Sequence, residues 1–440
     1  MSRIKEWILL NMVLPCAEVI SGTYATKWLK AISEMNKWSK QRLIDWQNQQ
    51  LSLFVKHAYE HTRYYRQLFD TLHLSPDDIR CAEDLKRVPI ITKEIVRDHY
   101  EDLIPDDLDD MKFRRCTSGG TTGVPMRYLC SEDVWGYITA AKIFYWKRTG
   151  YRYGDAFIAL GSASLFSKKA SWTRRIYDKI RNEHPLNCVN LTDSICYDYY
   201  LYIRKHRIKY VYGYSAAIFI FASFLEREKL DLSQVKAVFT TSENLPDHYR
   251  ELIERVFQCK VVDCYGARDA GITAYEVGRN TYNIGFNVIA EVINEIAPNT
   301  GSLVSTSFLN HCFPLIRYCF GDEAELAGLA EESSYNGQTL RHIIGRSSHV
   351  LRLENGHSLT ATGISMIMKE FDIIAFDFYK DGTNSVCLRI EPDKDRYSET
   401  QERLIDKTFK KYIGEDCDLH IVYVDEFPTL HNGKRTYFIV

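Results

Sequence analysis

None of the twelve cysteines of this 440-residue chain forms a Cys-x-x-Cys pair, which argues against a zinc ribbon. The chain also has little net charge. Its 56 Lys and Arg against 58 Asp and Glu give −2, so no dedicated nucleic-acid surface is indicated. No run reaches the roughly 18 apolar residues of a bilayer span. The apolar run Trp7–Leu14 is short, contains Asn11 and leads into Pro15-Cys16-Ala17-Glu18 instead of a cleavage site. Cytoplasm is the expected compartment, with a peripheral contact between the first helix and a membrane surface left open. Gly-x-x-x-x-Gly-Lys-Ser/Thr is missing too, which disfavours a kinase or GTPase phosphate loop. The scattered cysteines read as buried free thiols, the lesser alternative being a metal set of His311, Cys312, Cys319 and Cys264.

What is present is an ordinary globular composition, 45% hydrophobic and 26% charged, long enough for two or three domains. Residues 1 to about 75 read as helices, with Trp38, Leu43, Trp46, Leu53, Phe54, Ala58 and Tyr65 at near-helical spacing. After the extended Val88-Pro89-Ile90-Ile91-Thr92, Thr92 is placed to cap a helix. From residue 131, helical stretches alternate with apolar strands at 155–161, 210–215, 237–241 and 260–266. That alternation predicts an α/β layer with parallel strands, whose ligands collect beyond the strands' carboxyl ends. After about 280 the texture turns β-rich, and a small α+β unit closes the chain. The expected architecture is a large multi-subdomain region, 1–345, with α/β layers plus a β-rich subdomain. A small mobile α+β domain, 346–440, follows it.

The stretch Ser118-Gly119-Gly120-Thr121-Thr122-Gly123-Val124-Pro125-Met126 packs three glycines and three hydroxyls into six positions. Glycines let successive N–H groups converge and the hydroxyls add donors, which suits a phosphate, although ordinary solvated loops share this composition. At the end of the 260–266 strand, Tyr265 can stack on a base, Gly266 permits close approach and Asp269 can hold a hard cation. The alternative there is a core tyrosine beside a surface Arg–Asp pair. Ser242 and Glu243 follow a strand and can line the same cleft, and Asp322, after Phe320-Gly321, can accept two neighbouring ribose hydroxyls. Gly345-Arg346-Ser347 is a polar turn, and Gly433-Lys434 lies in a glycine loop near the end of the sequence.

Taken in order, these five stretches resemble the adenylate-forming superfamily of acyl-CoA synthetases and adenylation domains. Within it, the chain most resembles the phenylacetate–CoA ligase branch and its capsular-polysaccharide relatives, from about residue 40 onward. Val88–Lys93, Val211–Ser215 and Ser242–Pro246 belong to the same pattern. The resemblance implies ATP and Mg²⁺ as cofactors and a small-molecule carboxylate converted to an acyl-adenylate. Acyl transfer to an amine follows, in surface-polysaccharide biosynthesis, or to CoA in the alternative. It implies that Ser118, Gly119, Gly120, Thr121, Thr122 and Gly123 hold phosphates, with Ser242 and Glu243 lining the nucleotide cleft. It further implies that Tyr265 and Gly266 flank adenine, Asp269 serves Mg²⁺, and Asp322 binds ribose. Arg346 marks the hinge, Lys434 contacts the reacting carboxylate and α-phosphate, and Tyr212, Gly213, Tyr214 and Ser215 are candidates to line the acyl pocket.

The sequence departs from the common pattern in four places. Gly119 stands for Ser and Val124 for Lys, Arg268-Asp269 replaces Thr/Ser-Glu, and Ser348-His349 replaces an acidic hinge pair. These departures motivate a third reading, a non-catalytic nucleotide-binding partner.

Overall fold

The computed structural model describes residues 3–118, 126–161, 179–189, 191–329, 337–344, 350–355, 357–360, 364, 367–368, 371–383, 385–393, 396–425 and 427. The chain falls into two compact units. One comprises Met1–Ser118, Met126–Tyr153 and Cys264–Ile344, the other Gly119–Pro125, Gly154–Asp263 and Gly345–Val440.

In the first unit, β1 (Phe113–Thr117) and β2 (Arg127–Ser131) form an antiparallel hairpin in which Thr117 faces Arg127. The second unit contains the parallel strands β3 (Phe157–Gly161), β4 (Glu183–Asn187), β5 (Tyr210–Tyr214) and β6 (Ala237–Thr241), in the order β4-β3-β5-β6. Helices Asp193–Lys205, Ser215–Arg227 and Asp247–Phe257 alternate with them. Their apolar faces bury Ile203, Phe221, Leu225, Ile253 and Phe257 against Ile158, Val211 and Val238 of the strands. This is the parallel layer the alternation predicts. β4 escaped the sequence reading because Glu183-His184-Pro185-Leu186-Asn187 has neither alternation nor β-branched residues. Pro185 is tolerated there because, among the described strands, β4 pairs with β3 alone and lies at an edge.

The strand β7 (Lys260–Ala267) begins in the second unit and ends in the first. From it an antiparallel run continues through β8 (Ile272–Gly278), β9 (Thr281–Ile284), β10 (Val288–Ala297), β11 (Thr300–Ser307), β12 (Tyr318–Leu329) and β13 (Gln338–Ile344). Their order is β10-β11-β12-β13-β9-β8-β7. The small α+β segment of the second unit holds a hairpin, β14 (Val350–Arg352) with β15 (Ser358–Thr360), and three further strands. These are β16 (Ile373–Gly382), β17 (Ser385–Pro392) and β18 (Asp418–Tyr423), with helix Glu399–Ile413 beside them. Phe378, Val386, Leu388, Ile405 and Phe409 form its core.

The long helix Lys40–His61 corrects two details of the periodicity. Leu53 is 54% exposed, whereas polar Gln47 is buried and donates to the Phe286 and Val288 carbonyls at 3.1 and 3.4 Å. A buried amide satisfied by backbone acceptors is as much core as an alkyl group. Thr92 does occupy the cap position of helix Lys93–Asp98, yet its side chain makes no capping bond to the backbone. It bonds the Glu94 carboxylate instead.

The start of β12 is pinned by Arg317, which adopts φ +54° and is 8% exposed. Its guanidinium donates to both Glu291 oxygens at 3.1 and 2.9 Å and to the Val88 carbonyl at 2.7 Å, and its N–H donates to Thr306 Oγ1 at 2.9 Å. Ile91 pairs with Tyr318 alongside, so the Val88–Thr92 stretch is stitched to β12. Replacing Arg317 by Ala leaves Glu291 buried without this partner, which costs about 3–5 kcal/mol. A urea midpoint unchanged from wild type would refute the clamp.

Candidate active site

The glycine-rich stretch is the connection between β1 and β2. Its neck is closed by Ser118, whose N–H donates to the Met126 carbonyl at 2.8 Å and whose Oγ accepts from the Met126 N–H at 3.3 Å. The hydroxyl predicted to face a phosphate is thus engaged at the neck, 5% exposed. Gly119, Gly120, Thr121, Thr122 and Gly123 lie outside the described residues, as do Arg346 and Lys434.

In the first unit, the end of β7 and the start of β12 bring four predicted or neighbouring residues into two pairs. Tyr265 donates its hydroxyl to Asp322 Oδ2 at 2.9 Å, and Tyr318 donates to Asp269 Oδ2 at 3.1 Å. Asp269 and Asp322 are half-buried, Gly266 is exposed, and a Cβ added to Gly266 meets nothing closer than the Ile272 carbonyl at 3.4 Å. The fold therefore does not itself demand glycine there. Tyr318 is fully buried, and burial together with the Asp269 carboxylate pushes its phenol far above the ordinary range, so it remains a donor. Tyr128 is raised in the same way, by burial first and then by Asp269. Sequence reasoning missed Tyr318, whose signal is the Arg317-Tyr318 pair inside the otherwise apolar run from Pro314 to Phe320, just before Gly321-Asp322.

Two arginines flank the same hairpin. The Arg268 guanidinium lies 4.3 Å and that of Arg114 4.7 Å from the Trp135 ring centre, and Arg114 is fixed by both Glu132 oxygens at 2.6 and 2.8 Å. Cys116 on β1 sits among these charges. The neighbouring Cys130 thiol is the largest influence drawing the Cys116 thiol below its ordinary range, against the opposing effect of burial, with Arg268, Tyr128 and Arg114 contributing in the same direction as Cys130. Cys130 is pushed strongly the other way, by Cys116 and by burial, and stays a thiol.

In the second unit, the residues after β5 and β6 form an internal network. Ser215 is fully buried, within reach of the Asn244 carbonyl at 2.8 Å and Glu243 Oε2 at 3.2 Å. Glu243 Oε2 also accepts from the Ala216 N–H at 3.0 Å, so this carboxylate caps the N-terminus of helix Ser215–Arg227. Gly213 has a packing reason, since a Cβ there would stand 2.5 Å from the Leu160 carbonyl. Tyr214 packs on the helical core, Tyr212 is half-buried, and Ser242 is exposed at φ +69°. The geometry thus gives Ser215, Glu243 and Gly213 structural work. Below them, Thr240 donates to Asp263 Oδ1 at 2.6 Å, in the core.

All twelve cysteines are free. His311, Cys312, Cys319 and Cys264 do not form a metal-holding group among the described residues, where only His57, His61 and Asp107 do. His311 packs instead against Phe54 and His57, and Cys312 is buried. No described helix is long and apolar enough to cross a membrane.

A family model described as the CapK C-terminal domain matches residues 351–440. The chain is 22% identical over 407 residues to protein CapK of Staphylococcus aureus, covering 90% of this chain and 89% of that one. It is 24% identical over 420 residues to phenylacetate–coenzyme A ligase of Pseudomonas putida, covering 89% and 92%. Among solved structures, 2-hydroxyisobutyryl-CoA ligase in complex with 2-HIB-AMP and CoA superposes with a TM-score of 0.61 at 16% identity, over 92% of this chain and 91% of that one.

The Cys116 environment can be tested directly. Alkylation of Cys116, followed by mass spectrometry, should rise with pH around a midpoint below that of an ordinary thiol, because the thiolate is the reacting form. Arg268→Gln removes an attraction for the thiolate and should move the midpoint up. A wild-type midpoint near 9 would contradict this reading.

Proposed function

From the premise that the chain is a relative of CapK and of the phenylacetate–coenzyme A ligases, with the fold of adenylate-forming ligases, we propose that it activates a carboxylate with ATP and transfers the acyl group to an amine, in the cytoplasm, during surface-polysaccharide assembly. The observation that carries this reading is the full-length similarity to CapK, together with the two tyrosine-held carboxylates at the ends of β7 and β12. In the first half-reaction, the substrate carboxylate oxygen attacks the α-phosphorus of ATP and pyrophosphate leaves. In the second, the amine attacks the acyl carbon and AMP leaves.

Each residue is assigned a task its chemistry permits. Asp322 accepts from ribose hydroxyls, and Tyr265 presents its ring to adenine beside Gly266. The Gly119–Gly123 backbone and the Thr121 and Thr122 hydroxyls donate to phosphate oxygens, beyond the neck closed by Ser118. Tyr212 and Tyr214 are the remaining candidates for the acyl pocket. Asp269 offers a half-buried, oriented carboxylate oxygen that fits Mg²⁺, a cation commonly bound by one or two carboxylates plus substrate phosphates. When bound, Mg²⁺ neutralises negative charge on the phosphates. Lys434 supplies an ammonium to the joining of two anions, and Arg346 marks the hinge on which residues 346–440 turn between half-reactions.

The similarity to phenylacetate–coenzyme A ligase favours a second reading, with the CoA thiol in place of the amine. Carboxylate-dependent exchange of pyrophosphate into ATP, screened over amino acids, uronates and aryl acids, tests the shared first step. Lys434→Ala should slow exchange by about 10²–10³-fold, the scale of one lost transition-state donor. Asp269→Ala should raise the Mg²⁺ requirement. No exchange with any carboxylate overturns the proposal, and ATP binding with no dependence on Lys434 selects a non-catalytic nucleotide-binding partner. Thioester formation with CoA, and no amide with any amine, selects the second reading.

A further inference from the structure

Helix Lys40–His61 ends with His57 and His61 four residues apart, so both rings leave the same face of its last turn. The following chain returns beneath that end, where the Asp106 N–H donates to the His61 carbonyl at 2.9 Å. Asp107 Oδ2 then lies 3.2 Å from His57 Nε2 and 3.8 Å from His61 Nδ1, and Asp106 Oδ1 lies 2.7 Å from that same nitrogen. Two ligands bound at about 2.0–2.1 Å to one tetrahedral ion stand roughly 3.3 Å apart. The side chains are already close to that spacing.

We propose that His57, His61 and Asp107 form a binding site for a divalent transition cation, with zinc the best match. Two imidazoles and carboxylate oxygens suit zinc, with nickel and copper as competitors, whereas magnesium prefers oxygen alone. The site lies within the first unit and is independent of the carboxylate pairs on β7 and β12.

The competing account is a pair of ordinary His–Asp ion pairs, and two observations weigh against it. Asp107 Oδ1 is buried, and no donor among the described residues reaches it. Such an atom calls for an ion or a water, and a cation held by both oxygens of the carboxylate satisfies it. The His57 and His61 ring centres are only 4.8 Å apart, and both rings turn a nitrogen toward the same Asp107 oxygen. His311 packs edge-on against His57 at 4.7 Å. One feature limits affinity: His57 Nδ1 is also buried without a partner among the described residues, so the usual outer hydrogen bond is missing. A bound ion would clip the end of the helix to the 105–107 turn.

Cobalt(II) titration of the full-length reduced protein is the test, because cobalt reports its ligands by colour. Wild type should bind one equivalent that shows four-coordinate ligand-field bands without thiolate-to-metal charge transfer, and zinc should displace it. Zinc should also raise the thermal midpoint. His61→Gln and Asp107→Asn should lose both the equivalent and the zinc-dependent rise, and Cys116→Ser should change neither. Cobalt bound only through sulfur, or binding no greater in wild type than in His61→Gln, overturns the site. The wild-type spectrum decides even if a variant fails to fold.

Discussion

The constraint on which the first unit most depends is one buried guanidinium held by a carboxylate, a carbonyl and a left-handed backbone. Arg317 sits where β12 begins, and its charge can be buried only because Glu291 on β10 accepts two hydrogen bonds and Val88 a third. Those bonds fix the backbone one residue before Tyr318 and five before Asp322. The two tyrosine–carboxylate pairs therefore inherit their positions from a structural ion pair that touches neither of them. Burial raises the Glu291 carboxyl, and the hydrogen bonds and charge of Arg317 oppose that rise. The pair is held by geometry, because desolvation alone would disfavour it.

Much of the fold was legible because it rests on local periodicity. β5, β6 and β7 and the helices between them follow from apolar runs alternating with helical spacing, and the structure places each within a few residues of the expectation. What was illegible depends on partners distant in sequence. Nothing local marks Gln47 as core, since its acceptors are 239 and 241 residues away. Leu53 fits the helical pattern yet faces water. β4 exists because β3 offers it an edge.

The site was legible in a different way. Tyr265, Asp269 and Asp322 were picked out as chemistry at strand ends, and the fold pairs Tyr265 with Asp322 and Asp269 with Tyr318. Ser215 and Glu243 also stand at strand ends, where they join a network within the second unit. A strand that runs into a helix needs an acceptor at the new N-terminus, and Glu243 supplies it. Motif position cannot separate a carboxylate that caps a helix from one that awaits a ligand. Burial and partners describe the first of these roles, which Glu243 Oε2 fills at the Ala216 N–H.

The two carboxylates of the first unit illustrate how chemistry divides what geometry makes alike. Each is half-buried and each accepts from one tyrosine hydroxyl. Toward a nucleotide they are not equivalent, because a carboxylate attracts a sugar hydroxyl directly and repels a phosphate. Under the proposed function, Asp322 needs nothing but its lone pairs, whereas Asp269 becomes useful only through a cation between itself and the phosphates. Aspartate is one methylene shorter than glutamate, so its oxygens must be placed by the backbone turn after β7 and by a fixed donor. Tyr318 is such a donor, buried and held protonated by that same burial. A short carboxylate with a rigid anchor trades reach for orientation, and orientation is what an octahedral ion demands of its ligand.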